Sequence, residues 1–194
     1  MNPELQPEII LGAYIEGVFP MADADGELAW LSPDPRALIP LDAFRASKNL
    51  LRRYRSGKFT VTINRDFRGV MQHCAQRSEG TWISPDIIDA YTRLHTMGFA
   101  HSVETRLDDR LVGGLYGLAI GGAFFGESMF HRATDASKIA LVHLVHRMRE
   151  RDYCLLDVQF QTPHLALFGA IEVSRRDYLR RLKIALSRTC VFAD

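Results

Sequence analysis

The chain has 194 residues, a hydrophobic fraction of 47% and a formal net charge of +1. This length allows one domain, or one domain with a small appendage. The low net charge excludes a surface that is basic throughout, so any nucleic-acid contact must come from local patches. The three cysteines are widely spaced and form no C-x-x-C pair, so the sequence supports neither a disulfide framework nor a zinc ribbon.

The first residues lack both the basic region and the long apolar core of a signal peptide. No run of the sequence approaches the ~20 apolar residues that are needed to span a bilayer. With reduced thiols as the simplest interpretation of the cysteines, these observations predict a cytoplasmic protein with no membrane partner.

A short helix is predicted first, over residues 7–17, where apolar residues share one face and Gly17 ends the run. The segment 30–36 is expected to be extended, because each of its prolines disfavours the α region for the residue before it. This segment is the expected boundary between a small N-terminal lobe, residues 1–34, and a main domain, residues 35–194.

Beyond the boundary, hydrophobic periodicity and capping signals predict alternating helices and strands. A run of three strands followed by a helix and a strand favours a mixed α/β (α+β) sheet with an antiparallel meander flanked by helices, not a doubly wound parallel sheet. The predicted elements are, in order, a strand at 59–64, helices at 66–76 and 85–97, strands at 101–105, 111–120 and 123–129, a helix at 135–150, a strand at 154–158, a helical turn at 165–168, a strand at 170–173 and a helix at 175–186.

The stretch from Leu111 to Met129 contains six glycines within two apolar segments. Glycine weakens a strand, so such a cluster indicates a bend or the close approach of a ligand or of another backbone. A dinucleotide fingerprint would need a helix directly after the glycines, and a P-loop would need Lys and Ser/Thr after the last one. Two interpretations remain, the wall of a ligand pocket, which we favour, and a tightly twisted, bulged hairpin.

Two sites in apolar strands carry polar side chains that are suited to chemistry. Glu127 is a lone carboxylate in an apolar strand, where an inward orientation would suit a cationic ligand or an amine and an outward one would be solvated. Asp157 and Gln159 are two apart and share a face of a strand. A carboxylate beside an amide can orient it and accept a proton, although a strand end giving way to a solvated loop has the same pattern.

Basic residues and histidines give weaker signals. Two basic clusters, at 52–58 and 175–183, are candidates for phosphate contacts or simply solvated helix faces. His143 and His146 are three apart on a helix, but no third ligand with zinc-like spacing is evident. We therefore predict neither a metal site nor a cofactor.

Several segments together resemble one family, in order and over nearly the whole chain, from about residue 10 to residue 182. The chain resembles the leucyl/phenylalanyl-tRNA–protein transferases, the bacterial enzymes of the N-end rule. The segments that carry the resemblance are 13–20, 30–36, 80–83, 90–104, 111–116, 126–130, 136–141, 157–159 and 167–178.

The resemblance implies a GNAT-like catalytic domain with a small N-terminal domain. It also implies transfer of leucine or phenylalanine from aminoacyl-tRNA to the α-amino group of proteins that begin with Arg or Lys, by a chain expected to be a monomer. A CoA-dependent acyltransferase of the GNAT type is an alternative, disfavoured because residues 130–135 contain no glycine for a pyrophosphate loop. A non-catalytic tRNA- or peptide-binding module is the other alternative.

By position, Asp157 and Gln159 correspond to the catalytic pair of the family, and Glu127 corresponds to its active-site glutamate. The family's G-G-D-L segment has no counterpart, so a shortened N-terminal lobe is expected, and Met21 stands where many members carry tryptophan. The expected substrate-binding residues are Trp82, Leu115, Phe124, Ser128, Met129, Leu141, Leu144 and Met148, and the expected tRNA-binding residues are Arg52, Arg53, Arg55 and Lys58.

Overall fold

The computed structural model describes residues 3–22, 27–76 and 80–193. Strands and helices alternate through most of these residues. The strands are β1 (Phe19–Ala22), β2 (Leu28–Leu31), β3 (Arg36–Leu38), β4 (Thr60–Ile63), β5 (Ala100–Leu107), β6 (Arg110–Ile120), β7 (Ala123–His131), β8 (Leu155–Gln159) and β9 (Ile171–Val173). The helices are α1 (Pro7–Ile15), α2 (Lys48–Arg55), α3 (Phe67–Ala75), α4 (Pro85–Thr96), α5 (Ala136–Glu150), α6 (Pro163–Ala166) and α7 (Arg175–Leu186).

Seven of the strands form one mixed sheet in the order β4-β5-β6-β7-β8-β3-β9, and β1 pairs with β2 in a separate ribbon. Strands β5, β6 and β7 form an antiparallel meander, whereas β7 and β8 run parallel and are connected by α5. Because side chains alternate along a strand, Leu155 packs in one core cluster with α1, α3, α4 and α7, and Leu156 packs in the other with α2 and α5. The predicted mixed α/β fold with a meander flanked by helices is confirmed.

Each element predicted from residue 59 onward is present, although the helical turn begins two residues earlier than predicted, at Pro163. Sequence patterns missed α2 and the three N-terminal strands. Helix α2 buries only Leu50, so it has no apolar repeat to detect, and the Ser47 side chain caps it by accepting a hydrogen bond from the Leu50 amide. Strand β3 has only three residues, and its partners β8 and β9 lie far along the chain.

The division at residue 34 stays a prediction. The ribbon of β1 and β2 is separate from the main sheet. Helix α1, however, contributes Ile10 and Tyr14 to the core cluster that also contains Tyr178 of α7. The N-terminal residues therefore share a core with the main sheet.

The glycines of the meander mark places of close approach, as the bulged-hairpin interpretation proposes. A Cβ added at Gly113 would lie 2.5 Å from the Cβ of Ala136 at the start of α5. A Cβ added at Gly117 would overlap the carbonyl oxygen of Phe125, at the register shift between β6 and β7. Since Tyr116 pairs with Ser128 and Gly117 with Gly126, Glu127 is the extra residue at this shift, and the close contact at Gly117 contributes to the placement of its carboxylate.

We expect Gly117→Ala to lower the free energy of unfolding by ~1–3 kcal/mol, the usual cost of overpacking. Gly12→Ala is the matched control, since Gly12 lies in α1 and a Cβ added there meets no atom within 4 Å. At that exposed helical position the control should leave stability unchanged or raise it by ~0.5–1 kcal/mol. Urea unfolding of both variants tests the difference, and equal stabilities would contradict the close approach at Gly117.

Candidate active site

A cavity opens where the two parallel strands of the sheet separate. Pairing between β7 and β8 ends at Phe125 and Asp157. The next residues of the two strands diverge and enclose a cavity of about 360 Å³. This volume lies within the range typical of small-molecule sites.

Most of the cavity wall is apolar. Leu141 and Leu144 of α5 lie on one side, and Phe19 and Met21 of β1 bring the N-terminal ribbon to the cavity. The remaining apolar lining is Trp82, Leu115, Met129, Leu156, Val158, Phe160 and Leu165. Such a surface suits a large aliphatic or aromatic side chain.

One wall of the cavity is polar and is centred on Glu127. Its Oε1 atom accepts a hydrogen bond from the Tyr14 hydroxyl at 2.7 Å and another from the Gln159 side-chain amide at 3.1 Å. The Tyr14 hydroxyl also lies 2.6 Å from the Tyr91 hydroxyl. Both tyrosines are fully buried, so the carboxyl group joins the cavity to a hydrogen-bonded pair inside the core.

Burial raises the pKa of Glu127 to about 8, with a further increase from the charge of Asp157. The bonds from Tyr14 and Gln159 and the charge of Arg36 oppose that shift. Burial also holds the pKa of Tyr14 and of Tyr91 well above the ordinary value of tyrosine. The tyrosines thus remain hydrogen-bond donors at neutral pH, while Glu127 changes charge near pH 8.

Asp157 lies behind the cavity wall and is fully buried. Arg36 donates to it from Nε at 3.0 Å and from Nη2 at 2.7 Å, and the Tyr178 hydroxyl donates at 2.8 Å. The Gln159 backbone amide adds a fourth hydrogen bond at 2.9 Å. A carboxylate with four donors and no exposed surface cannot contact a substrate.

Gln159 is the last residue of β8, one residue beyond the strand that the sequence predicted. Its φ of 59° places it in the left-handed region, where a residue other than glycine is uncommon. Asp157 and Gln159 therefore do not share one face in the simple way that a two-residue spacing predicts. The Gln159 side chain instead reaches Glu127, to which its amide nitrogen donates.

The predicted substrate-binding residues divide into two groups. Six line the cavity, namely Trp82, Leu115, Ser128, Met129, Leu141 and Leu144. Phe124 and Met148 are fully buried in the core instead. Phe124 precedes the point where the strands separate and packs on Phe192 at 5.0 Å, and Met148 lies near the far end of α5.

The predicted tRNA-binding residues lie outside the cavity. Arg52, Arg53 and Arg55 are exposed on α2, and Lys58 follows that helix. Arg53 pairs with Asp135 at the start of α5, at 2.7 Å. In the second basic cluster, on α7, Arg180 and Arg181 both pair with Asp177.

His143 and His146, considered as metal ligands, both pack on Tyr54. The Tyr54 hydroxyl lies 2.9 Å from His143 Nδ1, and the ring of His146 meets the tyrosine ring edge-on at 5.4 Å. Within residues 3–22, 27–76 and 80–193, no three His, Cys, Asp or Glu side chains are grouped so as to bind a metal ion. No helix in those ranges is both long and apolar enough to cross a membrane.

Four residues of the site were not predicted as functional: Tyr14, Arg36, Tyr91 and Tyr178. They lie in the segments that carry the family resemblance, which was the available signal. Sequence patterns could not predict which of them contact each other, because Tyr14 and Tyr91 are 77 positions apart and Arg36 and Asp157 are 121 apart.

Comparisons with known proteins agree over nearly the whole chain. Residues 38–183 match the family described as leucyl/phenylalanyl-tRNA protein transferase, and residues 3–34 match the N-terminal domain of the same family. A leucyl/phenylalanyl-tRNA–protein transferase of Ruegeria sp. (strain TM1040) is 53% identical over 186 residues, covering 95% of this chain and 88% of the relative. One from Gloeobacter violaceus is 50% identical and covers 97% of both chains.

Similarities to solved structures are much weaker. A ribosomal-protein-alanine N-acetyltransferase from Brucella melitensis biovar Abortus 2308 has a TM-score of 0.41 and 18% identity, over 54% of this chain and 82% of the other. The structure of L-PGS from Bacillus licheniformis has a TM-score of 0.45 and 16% identity, over 77% of this chain and 56% of the other. At these scores the likeness supports no statement about function.

Proposed function

The chain belongs to the leucyl/phenylalanyl-tRNA–protein transferase family and is an aminoacyltransferase, and from that premise we propose its acceptors and the roles of its residues. It transfers leucine or phenylalanine from aminoacyl-tRNA to proteins that begin with Arg or Lys, and so marks them for N-end-rule degradation. The observation that carries this proposal is a mainly apolar cavity of about 360 Å³ with the hydrogen-bonded pair of Glu127 and Gln159 in its wall.

The donor's side chain occupies the apolar part of the cavity, between Leu115, Leu141 and Leu144. An apolar pocket discriminates by only ~1–3 kcal/mol per methylene group, which is consistent with acceptance of both leucine and phenylalanine. Trp82, which lines the same cavity, contacts the adenosine that carries the ester. The ester carbonyl then lies near the polar wall.

Glu127 is the proton acceptor in this proposal. The α-ammonium group of the acceptor gives one proton to the Glu127 carboxylate, and its neutral nitrogen attacks the ester carbonyl carbon. The new carbon–nitrogen bond forms, the bond from that carbon to the ribose oxygen breaks, and a second proton passes from nitrogen to the ribose oxygen. An α-amino group has a pKa of ~7.7–8.0, close to the value of about 8 for Glu127, so the first transfer is nearly balanced in free energy.

Gln159 orients the reactants beside that carboxylate. Its amide nitrogen donates to Glu127, which leaves its side-chain oxygen to accept a hydrogen bond from the attacking amine. Positioning of this kind contributes to catalysis by holding the reacting atoms in a near-attack geometry. Asp157, fully buried, contributes through Gln159 and not by contact with substrate.

The basic cluster on α2 is proposed to contact tRNA phosphates. Replacing Arg52 and Arg55 by alanine should weaken tRNA binding and reduce the salt slope of log K by ~0.7–0.9 for each phosphate that the variant no longer neutralises. Arg180→Ala with Arg181→Ala is the matched control, because those side chains are already paired with Asp177. Binding titrations at several salt concentrations test this, and a larger decrease in affinity for the α7 variant would reverse the assignment.

The proposed function is tested with labelled Leu-tRNA or Phe-tRNA and peptides that differ only in their first residue. We expect label in peptides that begin with Arg or Lys and none in peptides that begin with Ala or Asp. A parallel reaction with labelled acetyl-CoA examines the CoA alternative. If neither amino acid reaches an Arg- or Lys-initiated peptide, the proposed function is wrong.

A further inference from the structure

The ion pair of Arg36 and Asp157 is connected to both residues that donate to Glu127, although neither member of the pair lines the cavity. Arg36 is 1% exposed, and its guanidinium carbon lies over two aromatic rings, 4.7 Å from the centroid of Phe19 and 4.6 Å from that of Tyr178. Two of its nitrogens bind the carboxylate of Asp157. A guanidinium held by two parallel hydrogen bonds and by contact with two aromatic rings has essentially one orientation.

The first connection runs through Asp157 to Gln159. The Asp157 Oδ1 atom accepts both from Arg36 Nε and from the Gln159 backbone amide. That amide belongs to a residue in the left-handed region, with a φ of 59°. A conformation of this kind persists only where surrounding bonds hold it, and the oriented carboxylate supplies such a bond.

The second connection runs through Gly17 to the tyrosine pair. The remaining guanidinium nitrogen, Arg36 Nη1, donates to the Gly17 carbonyl at 3.1 Å. Gly17 follows α1 with a φ of +78°, and a Cβ there would lie 2.9 Å from atoms of Tyr178 and Leu179. The end of α1 is therefore fixed in place, and Tyr14 lies in the last turn of that helix.

We propose that Arg36 is a positioning residue for the transfer reaction, acting through Asp157 and Gly17 without contacting substrate. Through Asp157 and the Gln159 backbone, it keeps the Gln159 side-chain amide hydrogen-bonded to Glu127. Through Gly17 it holds the helix whose tyrosine binds the same carboxyl group. The role in transfer rests on the proposed function, whereas the geometric effect on Gln159 does not.

Stability alone does not account for such a pair. A buried ion pair can often be replaced by apolar side chains of similar volume with no loss of stability, whereas removing one partner is strongly destabilising. A variant that replaces both charges thus separates positioning from folding. Arg36→Met combined with Asp157→Leu removes both hydrogen bonds between the two side chains, and with them the acceptor of the Gln159 backbone amide.

We expect this double variant to unfold near the wild-type temperature and to bind Leu-tRNA as the wild type does. Its kcat should fall by ~10²-fold, the effect of a small misplacement at the reacting centre, with the KM for peptide changed much less. The Cα and Cβ chemical shifts of Gln159 should show that its backbone has left the left-handed region. Arg65→Met with Asp109→Asn, which removes an exposed pair at 2.8 Å, is the control and should change none of these quantities.

A double variant with wild-type kcat overturns the proposal, and so does one that loses activity while Gln159 keeps its shifts. If the double variant does not fold, Arg36→Lys decides the question, because it keeps the charge and loses the two parallel hydrogen bonds and the planar contact with two aromatic rings. Arg36→Lys should lower kcat and alter the Gln159 shifts, and wild-type values for both would refute the role of Arg36. Failure of the wild-type chain to transfer an amino acid refutes the proposed function, while the chemical shifts still test the geometry.

Discussion

The Glu127→Gln variant is expected to transfer amino acid ~10²–10⁴-fold more slowly than the wild type at pH 8, the usual contribution of a general base. Glutamine has the size of glutamate and keeps an oxygen that can accept from Tyr14 and Gln159. It cannot take up a proton from the acceptor amine. Because the hydrogen bonds and the volume are retained, the loss is expected in kcat and not in the affinity for tRNA.

The pH dependence of transfer separates this role from a purely structural one. Burial raises the pKa of Glu127 to about 8, so the fraction present as carboxylate increases as the pH rises through that value. The α-amino group of the acceptor titrates in the same range, at ~7.7–8.0, in both the wild type and the variant. The ratio of wild-type to variant rates isolates Glu127, and it should increase between pH 6 and pH 9.

Stability should change with pH in the opposite direction. A carboxyl group whose pKa is higher in the folded state than its ordinary value of 4.5 binds more protons when folded. Its favourable contribution is complete below about pH 4.5 and is lost as the pH rises through about 8. Glu127→Gln removes that loss, so the variant should gain stability relative to the wild type between pH 6 and pH 9.

Glu172→Gln is the control for both measurements, because Glu172 is an exposed glutamate on β9. It should leave the rates and the urea midpoints unchanged. A ratio of wild-type to Glu127→Gln rates that stays constant from pH 6 to pH 9 would show that Glu127 does not accept the proton.

The sequence predicts the helices and long strands of this fold because their patterns are local. The meander and α5 have apolar periods within a few positions, and α7 adds a capping serine, Ser174, directly before its first residue. Strand β3 has no such pattern, and its three residues become a strand only because β8 and β9 bind it on both sides. Residue types within a short window cannot report partners that the chain supplies more than a hundred positions later.

The candidate site also has features that the sequence predicts and features that depend on distant contacts. Glu127 and Gln159 were recognisable as polar residues in apolar strands, and Leu141 and Leu144 as an apolar helix face. The position of Asp157 behind the wall was not predictable, because it depends on Arg36 and Tyr178. The left-handed turn at Gln159 was equally hidden, since nothing in its type distinguishes it from an ordinary strand residue. Sequence thus located the groups, whereas tertiary hydrogen bonds determine which of them face the cavity.

Asp157→Ala is expected to lower the free energy of unfolding by ~3–5 kcal/mol, since it leaves the charge of Arg36 buried without its partner. Transfer should fall as well, because the Gln159 amide loses its acceptor and the side chain its fixed direction. Asp157→Asn is the informative comparison. Its side-chain oxygen can still accept from Arg36 Nε and from the Gln159 amide, the two bonds that Oδ1 makes in the structure, although it can no longer carry a negative charge.

If Asp157 acts by positioning, the asparagine variant should keep substantially more transfer than the alanine variant, at a pH where both are folded. If it acted as the base, asparagine and alanine would abolish transfer alike, since neither accepts a proton. Urea unfolding must accompany the rates, because a difference in the folded fraction would imitate a difference in activity. Rates per folded molecule that are equally low in the two variants would show that Asp157 is the proton acceptor. The structure argues for positioning, because the Asp157 carboxylate is fully buried and accepts four hydrogen bonds.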